Sequence, residues 1–231
     1  MSLLTADDFG AVLLSLRVAL TATLFGLPPA FLCALALARG RFAGRQLLDA
    51  LVTLPLVLPP VATGYGLLML LGAAAPGGRL LASLGLVLSF RWTGAAVAAG
   101  IMAFPLMVRP MRLSIEAIDR EVEESAITLG AGRLVRLARI ILPLAMPGVV
   151  AGAVLGFAKA LGEFGATITF VGAIPGETLT LPSAIYAATQ SPGEGARTLA
   201  LCGVAAALAV ASVLVSAPLA RAAARWAGRG D

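Results

Sequence analysis

The sequence predicts an all-α, polytopic transmembrane helix bundle with about five membrane spans. Of the 231 residues, 59% are hydrophobic and only 13% are charged, whereas a soluble domain carries about 25% charged residues. The apolar residues form long blocks, and about 20 such residues let a helix cross the hydrocarbon core of a bilayer. Because the blocks are rich in Leu and Ala and do not alternate with polar residues, they disfavour membrane β-strands. We expect a single membrane domain over residues 1–231.

Five apolar blocks are long enough to cross the bilayer. Prolines interrupt helical hydrogen bonding in the second block, which contains Pro59 and Pro60. Freed backbone groups are tolerated in a bilayer where protein or a wet cavity satisfies them. These prolines therefore either shape helix packing or line a pathway. The predicted spans are residues 11–38, 47–72, 92–110, 141–172 and 198–220.

The arginines predict the orientation of the chain. Five crossings place twelve arginines on one side and only three on the other, where two acidic residues also lie near the N-terminus. By the positive-inside rule, the N-terminus is expected outside and the C-terminus in the cytoplasm. The arginine-rich side holds Arg39, Arg41, Arg45, Arg109, Arg112, Arg120, Arg133, Arg136, Arg139, Arg221, Arg225 and Arg229, and the other holds Arg79, Arg91 and Arg197.

Two absences from the composition exclude several kinds of chemistry. The chain has no His, so a His-ligated zinc site or a triad with a His base is impossible. Its one Lys, Lys159, is followed by Ala160, so no phosphate-binding GxxxxGK[ST] loop exists. We expect no metal, no cofactor and no catalytic residue on this chain, and the absence of His argues against an intramembrane enzyme. The net charge of +5 is better explained by membrane topology than by nucleic acid.

The long loop after the third span, about residues 111–140, predicts a helical elbow. Residues 114–129 have helical periodicity, with Ser114 as a plausible N-cap. Gly130 and Gly132 break this helix, and an amphipathic helix carrying three arginines then leads through Pro143 into the fourth span. An elbow that projects from the membrane in this way offers a rigid surface that a soluble partner could bind.

Seven residues of this elbow resemble the EAA loop of ABC importer permeases, in which a Glu-Ala-Ala sequence, a glycine and an Ile-x-Leu-Pro sequence recur at fixed spacing. Ser125 replaces the first alanine of that pattern, which is a small-for-small change. In that family the loop forms the coupling helix that sits in a groove of the ATPase subunit. The matching residues are Glu124, Ser125, Ala126, Gly130, Ile140, Leu142 and Pro143.

Four further stretches resemble the permeases of bacterial molybdate importers. They are residues 47–65, 104–119, 161–172 and 174–186. The resemblance therefore implies a permease that carries molybdate. Sulfate and thiosulfate permeases are close relatives, so sulfate, thiosulfate and tungstate stay open as alternative substrates. A membrane scaffold that transports nothing is a more distant alternative, and it would not need a glycine-broken elbow.

The resemblance implies an assembly in the bacterial inner membrane with the type I ABC importer permease fold. It implies a second permease copy, two ATPase subunits and an extracytoplasmic oxyanion-binding protein, with ATP and Mg on the ATPases. The loop at residues 173–195, with a short helix at about 183–190, would then suit docking of the binding protein, and a plain connection is the alternative. Glu177 and Glu194 are its acidic residues.

Lys159 and Glu163 are the clear charges inside the predicted spans. On a helix they share a face and can pair, so they form either a structural pair or part of an anion pathway. Thr167 and Thr169 offer hydroxyls that either line the pathway or bond back to the helix. Gly162 and Gly165 flank Glu163 and indicate close helix contact. The candidate pathway residues are Pro59, Pro60, Lys159, Glu163, Thr167 and Thr169.

Overall fold

The regular structure of the chain is helical throughout residues 4–227, which are the residues described by the computed structural model. Arg229 lies outside the described residues. The helices are α1 (Ala6–Arg39), α2 (Arg45–Val57), α3 (Pro60–Leu71), α4 (Pro76–Ser83), α5 (Trp92–Glu116), α6 (Arg120–Thr128), α7 (Arg133–Arg136), α8 (Leu142–Leu161), α9 (Gly165–Val171), α10 (Leu181–Thr189) and α11 (Gly195–Ala227). A π-helical turn, Leu137–Ile141, joins α7 to α8.

Within the described residues, four continuous helical stretches are long and apolar enough to cross a membrane. They are Ala6–Arg39, Trp92–Glu116, Arg133–Leu161 and Gly195–Val215, and the bent pair α2 and α3 provides a fifth if it counts as one span. The prediction of an all-helical protein with about five spans is confirmed to this extent. The second and fourth predicted spans are each broken into two helices, however, rather than continuous.

The packing partners show how the helices run. Ala22 of α1 faces Gly100 of α5, and Gly26 faces Met107 further along, so α1 and α5 are parallel. Gly148 of α8 approaches Ser114, near the end of α5, and Gly156 approaches Met107, so α8 is antiparallel to both. We call the end of the bundle that holds the start of α1 the amino end. The opposite end, with residues 117–141, is the loop end.

Small residues let α5 and α8 pack at backbone distance. A Cβ atom added to Gly148 would lie 2.5 Å from the carbonyl oxygen of Pro110, and one added to Gly152 would lie 2.7 Å from that of Met107. Gly156 continues the same stripe at a spacing of four residues, which places all three glycines on one face of α8. Close approach of this kind is a main source of helix association in membranes, so α5 and α8 form a tight pair.

Polar contacts within the chain bind the amino end together. The carboxylate of Asp8 accepts hydrogen bonds from the Nε and Nη2 atoms of Arg197 at 3.0 and 2.8 Å, which joins the start of α11 to the start of α1. The buried Ser15 hydroxyl accepts a bond of 2.7 Å from the backbone N–H of Leu181, which fixes α10 against α1. Thr5 and Asp8 also form a capping box that begins α1.

Candidate functional site: a surface helix and two helix breaks

Helix α6 is capped at both ends by its own sequence. The Asp119 side chain accepts a hydrogen bond of 3.0 Å from the backbone N–H of Glu121 and caps the N-terminus. Gly130 has φ +80, a left-handed conformation that favours glycine. The N–H groups of Gly130 and Ala131 donate to the carbonyl oxygens of Ile127 and Ala126, each at 2.9 Å. These two bonds form the Schellman pattern that ends a helix.

The predicted helix over residues 114–129 is wrong at its start. Ser114 lies inside α5, which continues to Glu116, and a short break at residues 117–119 precedes α6. Ile115 and Ile118 are buried, so the end of α5 is held by the core of the bundle. The chain is therefore free to turn only after residue 116, and Asp119 provides the N-cap instead of Ser114.

Arg39, at the end of α1, ties the start of α6 to the bundle. Its Nε donates to Glu123 Oε1 and its Nη2 to the carbonyl oxygen of Ile118, both at 2.8 Å. The side chains of Arg39 and Glu123 are only 18% and 15% exposed, so this ion pair is shielded from water more than a typical surface pair. From the sequence, Arg39 was expected only to set the topology, since nothing in the sequence links positions 84 residues apart.

The rest of α6 and the turn after it are exposed. Glu124 and Ser125 are exposed and Ala126 is half-buried, and the Glu124 carboxylate has no hydrogen-bond or ion-pair partner in the described part of the chain. Leu129 is 88% and Leu134 is 80% exposed on either side of the glycine turn. Exposed large apolar side chains beside an unpaired charge are typical of a protein–protein contact surface.

The second half of the pattern that resembles the EAA loop, residues 140–143, leads directly into α8. Ile140, Leu142 and Pro143 are all half-buried, and the neighbouring Ile141 is the buried residue of this segment. Residues 133–161 form one helical stretch. It includes the π-helical turn just before Pro143, where the N–H of Leu142 donates to the carbonyl oxygen of Leu137. The elbow and the transmembrane helix α8 are therefore mechanically continuous.

The first helix break separates α2 from α3 at a bend of 114°. Helix α2 tolerates Pro55 in its interior and ends at Val57. Pro59 has an extended backbone, and Pro60 is the first residue of α3, where the missing N–H costs nothing. Pro59 and Pro60 thus end one helix and begin the next.

The second break separates α8 from α9 at residues 162–164, and Glu163 organises it. Its Oε2 lies 2.5 Å from Lys159 Nζ, and its Oε1 accepts a hydrogen bond of 3.0 Å from the backbone N–H of Ala166 in α9. The Glu163 side chain is 1% exposed and that of Lys159 is 29% exposed. The predicted pairing is confirmed, but Glu163 lies in the break rather than on a continuous helix, and its carboxylate joins the two helices.

The two breaks lie side by side, because α3 packs along α9. A Cβ atom added to Gly165 would be 2.8 Å from Pro60 Cβ, and one added to Gly64 would be 2.5 Å from the carbonyl oxygen of Ala166. The close contact expected near Gly165 is therefore made to α3 of the same chain. In the described part of the chain, the atom nearest to a Cβ added at Gly162 is the Ala158 carbonyl oxygen at 3.8 Å, so the close contact expected there is not seen.

Three threonine hydroxyls surround the paired breaks. Thr167 Oγ1 donates to the carbonyl oxygen of Phe164 at 2.8 Å, and Thr169 Oγ1 donates to that of Gly165 at 2.8 Å, so both bond back to the backbone. Thr63 Oγ1 on α3 is buried without a hydrogen-bond partner among residues 4–227. Thr63 was not among the residues predicted from the sequence, although its place three residues after Pro60 was a visible signal.

At the amino end, both acidic residues of the predicted docking loop have arginine partners. Glu177 lies 3.7 Å from Arg91, and Glu194 lies 2.7 Å from Arg197. The predicted short helix is present as α10, Leu181–Thr189. The side chains of Glu177 and Glu194 stay about one third exposed, at 33% and 36%.

Comparison with known families shows the class of protein to which this helical fold, with its elbow and broken helices, belongs. Residues 26–226 match the family described as binding-protein-dependent transport system inner membrane component. The chain belongs to this family, whose members are permease subunits of transporters.

Within the family, the chain is similar to permeases of molybdenum transport systems. It is 50% identical to the molybdenum transport system permease protein ModB of Escherichia coli K12 over 98% of this chain and 100% of that protein. It is 46% identical to ModB of Haemophilus influenzae over 97% of this chain and 98% of that one. A sulfate transport system permease, CysT of Salmonella typhimurium, is 36% identical over 89% of this chain and 70% of that protein.

Solved structures support the same fold. The crystal structure of a bacterial ABC transporter involved in alginate import matches with a TM-score of 0.74 and 21% identity, over 94% of this chain and 80% of that one. The MetNI methionine ABC transporter, in an inward-facing conformation, matches with a TM-score of 0.67 and 17% identity, over 96% and 99% of the two chains. At these identities the likeness shows the fold alone.

Proposed function

We propose that the chain is the permease subunit of a binding-protein-dependent ABC importer that carries molybdate across the bacterial inner membrane. The observation that carries this proposal is the 50% identity to a molybdenum permease over nearly the whole of both chains. The exposed elbow around Gly130 supports the coupling role, because it offers a surface with a free carboxylate and exposed leucines.

In the proposed orientation the amino end faces the periplasm and the loop end faces the cytoplasm. The positive-inside rule supports it, since the loop end carries most of the arginines. The parallel course of α1 and α5 puts the ends of both helices, and with them Arg39 and α6, on this arginine-rich side. The C-terminus of α11 would lie in the cytoplasm.

The proposed coupling surface is α6 and its glycine turn. Glu124, Ser125, Ala126 and Gly130 would enter a groove of an ATPase subunit, which binds ATP with Mg on its own chain. Arg39 would make α1 follow the movement of α6, and Pro143, with Ile140 and Leu142, would pass it to α8. Since α8 packs on α5 at backbone distance, these helices would move as one body. Two permease copies with two ATPase subunits would complete the motor.

The proposed pathway runs past the paired helix breaks, where Pro60, directly after Pro59, packs against Gly165. A dianion left dry at mid-bilayer would cost at least the roughly 2.5–3.5 kcal/mol of one buried charged residue, so the path must be polar and wet. Lys159 is the accessible partner of its ion pair and would face the anion, with Glu163 holding it in place. Thr167 and Thr169 would contribute hydroxyls when the breaks open.

Strong selection for the anion would then belong to a separate binding protein that docks at the amino end. Tight binding inside the permease would slow release, because a transported ion must leave each site it enters. The exposed part of the 173–195 loop, with Tyr186 52% exposed, is the proposed docking surface.

The test is ATP-driven uptake in proteoliposomes that contain the permease, the ATPase and the binding protein. Molybdate uptake that tungstate inhibits and that excess sulfate leaves unchanged is the expected result. Preferential sulfate uptake would instead favour the sulfate/thiosulfate alternative, which the 36% identity to CysT supports. If no oxyanion is taken up although the ATPase co-purifies, the result favours the alternative of a membrane scaffold that transports nothing.

A further inference from the structure

An apolar groove of about 680 Å³ lies between α1, α2 and α5, open to the surface of the bundle. It contains none of the proposed pathway or coupling residues. Along α5 it extends from Thr93 to Phe104, which is about 17 Å at the rise of an α-helix. This length is about half of the roughly 30 Å hydrocarbon core of a bilayer. On α1 and α2 the lining reaches further toward the loop end, to Cys33 and Leu48, so the groove starts at the amino end and continues past the middle of the bundle.

An unpartnered arginine stands at the amino end of this groove. Arg17 lies one helical turn before the lining residue Thr21, and its guanidinium is 3.7 Å from the centre of the Trp92 ring, next to the lining residue Thr93. Arg17 is exposed, and within residues 4–227 its N–H groups have no hydrogen-bond or ion-pair partner. The ring holds the guanidinium in a fixed orientation and leaves its donors free.

The combination of groove and arginine matches one kind of molecule. A guanidinium presents paired donors that suit a phosphate group, and Trp and Arg side chains favour the headgroup level of a membrane. Below that level the lining is almost entirely aliphatic and aromatic, which suits a hydrocarbon chain and disfavours a polar solute. The nearby Arg91 has an acidic neighbour in Glu177 at 3.7 Å, whereas Arg17 has no acidic partner among residues 4–227.

We propose that this groove binds a glycerophospholipid, with its phosphate diester on Arg17 and one acyl chain along α1, α2 and α5. The lipid belongs to the leaflet at the amino end. It fills the space where α2 leans away from α1 and α5, and so supports α2 up to the break at Pro59. The proposal requires only that the bundle lies in a membrane, whatever the transported anion is.

Native mass spectrometry of the purified permease–ATPase complex tests this binding. Delipidated complex is titrated with palmitoyl-oleoyl phosphatidylglycerol, with the phosphatidylethanolamine of the same chains, and with the diacylglycerol that lacks the phosphate. Both phospholipids should bind and the diacylglycerol should not. The substitution Arg17→Gln should weaken phospholipid binding about tenfold, as expected for one charge-assisted bond. The control Arg79→Gln removes an exposed arginine that does not line the groove, and it should change nothing.

A second readout uses Cys33, which lines the groove. With Cys202→Ser, Cys33 is the only thiol of the 231-residue chain, and added phosphatidylglycerol should slow its reaction with a maleimide in the otherwise unchanged protein but not in Arg17→Gln. Equal lipid binding by Arg17→Gln and Arg79→Gln would overturn the proposal. So would binding of diacylglycerol as tight as that of the phospholipids, or a Cys33 protected by a second permease copy when no lipid is present.

Discussion

The two ends of the bundle differ in the surface that their charged residues leave exposed. At the amino end, arginines pair with three acidic residues that tie the helices together: Asp8 and Glu194 with Arg197, and Glu177 with Arg91. The loop end also has ion pairs, of Arg39 with Glu123 and of Arg112 with Asp49 and Glu116. Within the described residues, however, the Glu124 carboxylate of α6 has no partner, and it lies on the same exposed segment as Leu129. Helix α6 therefore presents exposed groups at the loop end that a partner would satisfy.

The largest expected effect comes from breaking the turn of the loop end with Gly130→Asp. Gly130 has φ +80, and no described atom lies within 4 Å of an added Cβ, so a side chain fits there without a clash. The turn is destabilised instead by backbone strain, about 1–2 kcal/mol for a residue with a side chain in this conformation. The negative charge of the new Asp adds to this effect on the contact with the ATPase. We expect normal membrane insertion and loss of ATPase co-purification by more than tenfold. Pull-down of the ATPase from membranes measures it.

Gly132→Asp is the matched control for the turn. It adds the same charge two residues away, where φ is −66 and a side chain is unstrained. If both variants lose the ATPase equally, the charge rather than the turn is responsible, and the mechanical role of Gly130 is contradicted.

The next effect concerns the ion pair at the second helix break, through Lys159→Met. It leaves the Glu163 carboxylate, 1% exposed, without its cation, and breaking a buried pair costs about 3–5 kcal/mol. We expect lower yield and thermal stability as well as lower uptake. The double variant Lys159→Met/Glu163→Gln should recover stability because no charge is left unpaired.

Uptake by this double variant separates the two roles of the pair. Recovered folding with uptake still lost supports a role of Lys159 toward the anion. Full recovery of uptake would make the pair structural and would remove Lys159 and Glu163 from the pathway.

A smaller effect is expected for Asp8→Asn at the amino end. Arg197 keeps Glu194 and is 28% exposed, so water and Glu194 compensate part of the loss, and we expect about 1–3 kcal/mol. Thermal unfolding of the purified complex should shift downward while ATPase co-purification stays normal. Asp7→Asn, at an exposed neighbouring position, should change neither, and a drop in ATPase binding by Asp8→Asn would show that the ends are not independent.

The smallest effect is expected for Arg39→Gln, which releases α6 from α1 without altering its exposed face. The ion pair is partly shielded, so its loss should cost roughly 1 kcal/mol. We expect the ATPase to co-purify but uptake per ATP hydrolysed to fall several-fold, since movement of α6 would no longer reach α1. Arg41→Gln, in the same loop, is the control. An unchanged uptake-to-hydrolysis ratio would argue against this transmission.

Local signals in the sequence predicted the elbow well. The turn at Gly130 could be predicted because only a few residue types adopt a left-handed conformation. Pro59 and Pro60 indicated an interruption of the helix at the first break. The start of α6 was misplaced because Ser114 and Asp119 are equally good caps, and only burial of Ile115 and Ile118 decides between them.

Contacts between segments far apart in the chain could not be predicted from the sequence. The break at Glu163 depends on packing of α9 against α3, and the tether of Arg39 joins residues far apart in the chain. The stripe of Gly148, Gly152 and Gly156 could have been found from its spacing of four, but it lay unnoticed within a block already assigned as a span.

The most direct test of the account is photocrosslinking from each end of the bundle to the ATPase subunit in native membranes. A crosslinking amino acid replaces exposed Ser125 of α6 in one protein and exposed Tyr186 of α10 in the other. We predict that position 125 crosslinks to the ATPase and position 186 does not. Crosslinking of the ATPase from position 186, with none from position 125, would contradict the assignment of the loop end as the coupling surface.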